Sequence, residues 1–364
     1  MGLRSILAVM VAFSTGCGVA NPGLGASSPA SGARITPPTA ACVQSKSCPS
    51  QLPVGGLAFD ADRETLVLFG GYSPSGSAAQ PVSPASGARL YPSVLNETWE
   101  WKAETGWKQA HPATVPPARG MTAMVYDEAR HLVLMYGGRD TAGGTVLCGE
   151  AGQSLCSADT WTWNGKDWLQ LHPEKTPYPF VPTMTYDPSS GAPLLYSLSA
   201  ETWSWNGIAW RLEAPESGRP TPHRLTPVMA FDPATGHVVM FGGFSHGGIN
   251  VNTMWSWTGQ SWTSLGAKAP FRRLQAAATA NTDRHALLVH QNPQLIPPEA
   301  PAETWTWDGV QWTQLHPLHE PNGSRAVLFA DPKSHQVLLV GWSLRNEKAI
   351  EVWAWNGADW KRVG

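Results

Sequence analysis

The sequence is short of charge. Asp, Glu, Lys and Arg make up 14% of its 364 residues, and the formal net charge is -2. A nucleic-acid partner calls for a basic surface that neutralises phosphates, so that class is set aside. Cysteine is scarce as well. There are five, and none stands in the C-x2-4-C hook of a structural zinc site. No metal and no cofactor is therefore expected. The apolar run at the N-terminus, Ile6 to Phe13, is too short to cross a bilayer as a permanent helix. It follows Arg4 and precedes small residues up to Ala20, which is the arrangement of an export signal over residues 1–20.

Within that signal, Ser14-Thr15-Gly16-Cys17 resembles the lipobox of bacterial lipoproteins. The resemblance implies that Cys17 becomes the lipid-modified first residue; the alternative is cleavage after Gly18-Val19-Ala20, with Cys17 discarded. Two or more acyl chains hold a protein on a membrane stably, where one binds only marginally. The expected location is extracytoplasmic, lipid-anchored to the cell membrane, or secreted if Cys17 is not used. The membrane is then a partner only through the anchor. Residues 21–52 are rich in Gly, Ala, Ser and Pro and read as a linker. The other four cysteines form two local pairs, Cys42 with Cys48 and Cys148 with Cys156, expected as disulfides in an oxidising compartment.

What the sequence does have is Gly (36), Pro (32) and Trp (19), a composition of many turns and large aromatic packing elements that favours an all-β fold. Most of the Trp fall in a repeat, W-x-W-x4-W. Its copies are Trp161, Trp163, Trp168; Trp203, Trp205, Trp210; Trp255, Trp257, Trp262; Trp305, Trp307, Trp312; and Trp353, Trp355, Trp360. Trp99, Trp101 and Trp107 make a sixth with one extra residue. Two Trp two residues apart share one face of a strand. Asn164-Gly165, Asn206-Gly207, Asp308-Gly309 and Asn356-Gly357 follow the second Trp and supply a hairpin turn. Upstream of each copy lies a second predicted hairpin, as in Met124 to Gly138, whose first strand ends at Asp60, Asp127, Asp187, Asp232, Asn281 or Asp331. Residues 53–364 thus read as a six-bladed β-propeller of four-stranded antiparallel blades. Each blade has its own four strands; ring closure would rest on packing between blades one and six, or on a strand added by residues 36–52.

With Gly70-Gly71, Gly137-Gly138 and Gly242-Gly243 after the second strand and a Trp in the fourth, the chain resembles kelch-repeat propellers. Copies three, five and six depart from the pattern, with Ser197-Leu198, Gln291-Asn292 and Gly341-Trp342 in place of Gly-Gly. The resemblance extends to the central domain of galactose oxidase, but no counterpart of that enzyme's copper ligands or Cys-Tyr link is recognisable. Sialic-acid epimerases are also six-bladed and kelch-like, which keeps open a carbohydrate-active enzyme (epimerase, lyase or oxidase-like) with its site at the channel mouth.

The repeat assigns most polar residues to structure. His111, His172 and His316 recur after the fourth strand, and His131, His237, His285 and His335 recur at the first turn. Alternating strands put the short turns on one face and the loops on the other. The loop face receives the insertions Tyr72 to Leu95, Arg139 to Ala158, Phe244 to Asn252 and Asn292 to Ala302. Variable loops on a rigid scaffold are where recognition concentrates. Arg119, Arg224 and Arg273 stand eight residues before the acidic strand end and approach the channel from that face. They either hold a carboxylate or an acidic or sulfated sugar, or pair with a neighbouring blade. Tyr72, Arg139 and His246, within the insertions, complete the candidate ligand contacts. The expected function is a non-catalytic, exported, monomeric binding module for a glycan or protein ligand. An envelope-assembly role is a third reading.

Overall fold

The computed structural model describes residue 49 and residues 56–72, 94–140, 146–148, 154–213, 220, 224–245, 251–270, 276–292, 301–331, 333–343 and 350–364. The expectations for the signal, Cys17, the Cys42–Cys48 pair, Arg273 and His246 lie outside these residues, as does that for the linker apart from Pro49.

Blade one contains β1 (Gly56–Asp60), β2 (Thr65–Phe69), β3 (Thr98–Lys102) and β4 (Gly106–Ala110). Blade two contains β5 (Ala123–Asp127) and β6 (Leu132–Tyr136). It continues, after an inserted sheet of β7 (Arg139–Asp140), β8 (Val146–Cys148) and β9 (Ser154–Cys156), with β10 (Thr160–Trp163) and β11 (Trp168–Leu171). Blade three runs through β12 (Thr183–Asp187), β13 (Ala192–Tyr196), β14 (Thr202–Trp205) and β15 (Trp210–Leu212). Blade four is β16 (Val228–Asp232), β17 (His237–Phe241), β18 (Thr253–Trp257) and β19 (Trp262–Lys268). Blade five is β20 (Ala276–Asn281), β21 (Ala286–Gln291), β22 (Glu303–Trp307) and β23 (Trp312–Leu315). Blade six is β24 (Gly323–Ala330), β25 (Val337–Ser343), β26 (Ile350–Trp355) and β27 (Trp360–Arg362). Every blade is an antiparallel meander of its own four strands. The first strands adjoin one another in sequence around the ring, and β24 meets β1 to close it. The fold is a six-bladed β-propeller.

Burial peaks at the second strand. The second strand, as in Thr65–Phe69, is buried on both faces, whereas β11 and β15 are exposed after their first Trp. That pattern follows from blades packing face to face, with the outermost edge wet and the innermost strands partly exposed, as in β12 and β20.

The joints between blades explain the fourth-strand Trp. In blades two to six the indole N–H is donated to the preceding blade, to the residue just before the W-x-W pair. Trp168 reaches Thr98 Oγ1 at 2.9 Å, Trp210 reaches Thr160 at 2.9 Å, Trp262 reaches Thr202 at 2.7 Å and Trp360 reaches Thr304 at 3.0 Å. In blade four a Met holds that position, and Trp312 donates to Met254 Sδ at 3.2 Å. The same indoles meet an aromatic ring from the second strand of the preceding blade: Phe69 on Trp168, Tyr136 on Trp210 and Phe241 on Trp312, all edge to face at 5.1–5.5 Å. His290 takes this place against Trp360 at 6.3 Å.

The joint of blades six and one is built differently. Val340 and Val352 occupy the two partner positions, both fully buried, and Trp107 packs into the same apolar cluster. Its Nε1 is buried without a hydrogen-bond partner among the described residues.

Candidate functional site

The turn face satisfies itself. Asp232 accepts the Ala234 N–H and the Thr235 hydroxyl, each at 3.0 Å, and Asp187 accepts the Ser189 N–H at 3.0 Å. The recurring acids thus cap their own turns. Arg63 holds Asp60 through Nε at 2.9 Å and Glu100 through Nη1 at 3.1 Å, and lies over Gly165 of the next blade. Arg130 lies over Gly207 in the same way, and Arg284 donates to the Gly357 carbonyl at 2.6 Å. His131 reaches Asp62 at 2.6 Å and His335 reaches Asp283 at 3.2 Å, each across a joint. His319, irregular in the repeat, latches blade five to Asp359 of blade six at 2.7 Å. That contact holds the Asp359 carboxyl below the ordinary carboxylate range.

At the loop face, backbone atoms of neighbouring blades meet. Gly71 N–H donates to the Arg119 carbonyl at 2.8 Å, and Gly138 N–H to the Pro179 carbonyl at 3.2 Å. A Cβ on Gly70 would collide with that Arg119 carbonyl, and one on Gly137 would stand 2.9 Å from Pro179 O. Both glycines also have positive φ, +68° and +71°. Close approach and backbone conformation together therefore require the Gly-Gly step.

Three non-glycine residues at one repeat position, Met121, Val181 and Thr226, also have positive φ, of 57°, 48° and 45°. Each lies just before the first strand, at the loop-face end, and is partly exposed. Val181 and Thr226 are β-branched and precede proline, which makes this conformation costly, on the order of 1–3 kcal/mol each.

The candidate residues form two groups. At the joint of blades one and two, Tyr72 is buried and lies over Gly120, while Arg139 pairs its backbone with Gly120 in both directions, at 2.9 and 2.7 Å. Next to Gly120, Arg119 is fully buried. Its Nη2 donates to Asp159 Oδ2 at 2.9 Å, Nη1 donates to Asp159 Oδ1 and to Gly137 O at 3.2 Å, and Nε donates to Pro117 O at 3.0 Å. The partner Asp159 belongs to the same blade, not to a neighbour, because the guanidinium runs outward along the loop-face edge of its own sheet. Burial works to raise the Asp159 carboxyl, and the hydrogen bonds and charge of Arg119 outweigh it, so the group titrates below its ordinary value.

Arg224 lies two blades on and is 2% exposed. It donates to Thr253 O at 3.0 Å and Thr253 Oγ1 at 2.9 Å. Beside it Leu225 and Phe244 pair their backbones at 2.8 and 3.2 Å, the counterpart of the Gly120–Arg139 pair.

Sequence reasoning passed over the column that contains Asp159. Two residues before the first Trp of each repeat stand Glu97, Asp159, Glu201, Thr253, Glu303 and Glu351, and each accepts the N–H of that Trp at 2.7–3.4 Å. The fixed spacing was the available signal. The expected Cys148–Cys156 disulfide is present and joins β8 to β9 with a Cα separation of 5.9 Å. Among the described residues, no group of three or more His, Cys, Asp or Glu converges as a metal site. A shallow cleft of about 210 Å³ lies at the loop-face end of β3 and β4, with Glu97 and His111 among its lining residues.

No family model matches the chain, and no curated protein matches it. Solved structures do. The structure of YjhT shares 11% identity at a TM-score of 0.58, covering 87% of this chain and 99% of that one. A triple arginine-to-alanine variant of AofleA from Arthrobotrys oligospora shares 11% identity at a TM-score of 0.50, covering 86% of each chain. At this identity the likeness is one of fold.

Proposed function

We propose that this protein is an exported, lipid-tethered, kelch-type propeller that binds a glycan or protein ligand through its loop face. The reading rests chiefly on the strained collar. Met121, Val181 and Thr226 keep a costly conformation at the same place in three consecutive blades, at the loop-face ends of the innermost strands. Strain of this kind persists where the surroundings over-determine it and gathers at binding sites and ligand clamps. On the turn face the recurring Asp residues are taken up by their own turns, which leaves them to structure. The inserted sheet with Cys148–Cys156 adds a pinned structure to the loop side of blade two. The kelch assignment is supported by the Gly-Gly step and the fourth-strand Trp.

Glycan-array binding by the purified propeller tests the ligand reading, with a pull-down from envelope extracts for protein partners. Saturable binding that is lost when Val181 and Thr226 are both replaced by Gly supports a loop-face site; binding untouched by that change argues against it. Metabolic labelling with a palmitate analogue tests the tether, and wild type without label would rule it out.

A further inference from the structure

Arg119 and Arg224 occupy one repeat position and differ in what they meet. Both reach, along the loop-face edge of their own blade, to the residue two before the first Trp. In blade two that residue is Asp159, and every nitrogen of Arg119 has a partner. In blade four it is Thr253, the only member of the column that is not an acid. Arg224 keeps two hydrogen bonds to Thr253, but its Nε is buried with no partner among the described residues. No carboxylate pairs with it among the described residues. Burial draws the Arg224 pKa down to about 10, so the group is still charged at neutral pH. A buried guanidinium without a counterion is among the most costly arrangements a fold can retain.

Resting on the binding reading above, we infer that Arg224 is the receptor for one carboxylate of the ligand, which supplies the counterion that Asp159 supplies to Arg119. A planar fork of N–H donors fits a carboxylate. The chemical class that suits the position is a uronic acid, a sugar whose carboxylate is attached directly to the ring. A flexible acidic side chain would lose more conformational freedom on reaching a buried partner. Blade two has no such vacancy, so the site belongs to blade four alone of the two.

Thr253→Asp is the decisive variant, because it installs the blade-two pair in blade four. The thermal midpoint of the propeller is measured with D-glucuronate, D-glucose or N-acetylglutamate, all at matched ionic strength. Glucuronate is expected to raise the wild-type midpoint saturably, and glucose is not. Thr253→Asp is expected to raise the midpoint without ligand and to abolish the glucuronate response. Arg224→Gln should abolish the response as well. The inference is overturned if wild type ignores glucuronate, if Thr253→Asp responds as wild type does, or if that variant is less stable than wild type. An equal response to N-acetylglutamate overturns the uronic acid assignment. Array binding to neutral glycans that Thr253→Asp leaves intact would sink this inference and spare the binding reading, whereas no binding to any glycan or protein would sink that reading too.

Discussion

Five joints of the ring carry an indole hydrogen bond. At the sixth the indole sits in apolar packing, and the polar contacts come instead from Lys333, which donates to Asp62 O at 2.9 Å and lies 3.8 Å from Glu64. The Trp is the same in all six, and what changes is the receiving blade. Where Thr or Met stands before the W-x-W pair, the incoming indole is fixed in direction. Where Val352 stands, with Val340 beneath it, Trp107 is buried but its N–H meets no acceptor among the described residues. Apolar burial is non-directional. It holds the Trp107 indole without specifying its direction, whereas an indole hydrogen bond specifies it, and at this joint the directional contact is the exposed Lys333–Asp62 hydrogen bond.

The comparison is most strongly tested by removing the indoles. Trp210→Ala should cost about 3–5 kcal/mol, and Trp107→Ala about 1 kcal/mol less, since it forfeits neither a hydrogen bond nor an aromatic edge. Urea unfolding midpoints measure both; equal losses would mean that the five clasps add nothing beyond area. Next in size, Thr160→Val leaves the Trp210 N–H buried and unpaired, at a cost of about 1–3 kcal/mol. The converse change, Val352→Thr, offers Trp107 an acceptor and should gain about 0.5–1.5 kcal/mol. A loss there would show that the closing joint has no room for a hydroxyl in the required orientation.

The smallest effect concerns the exposed latch at the joint of blades five and six. The Asp359 carboxyl titrates below its ordinary value because of His319, so the unfolded chain takes up its proton first as pH falls. The latch stabilises above the ordinary carboxylate pKa and is lost as pH drops through the folded value. Asp359→Asn should therefore lower the melting midpoint slightly at pH 7, and the difference from wild type should vanish in acid.

The blade count was legible in the sequence because the Trp triplets and the strand-end Asp recur at spacings that only a four-stranded unit explains. The columns that receive the indoles recur at equally fixed spacings, yet their role was not. Thr98 and Trp168 meet only once the ring is assembled, and a one-dimensional period says nothing about which blade lies beside which strand. The arginines show the same limit at the candidate site. Their register with the innermost strands was readable, but not that the guanidinium of Arg119 runs outward to Asp159 of its own sheet. The strained collar was illegible for a different reason: Met, Val and Thr carry no signature of positive φ.

The Gly-Gly step also bears on how far such a chain can drift. At Gly71 and Gly138 the spacing of adjacent blades is set by one main-chain N–H and one main-chain carbonyl. Contacts of that kind are blind to side-chain identity, apart from the glycines that permit them. Mutation can then rewrite most of the surface and much of the core while these contacts, and the blade spacing they set, are kept.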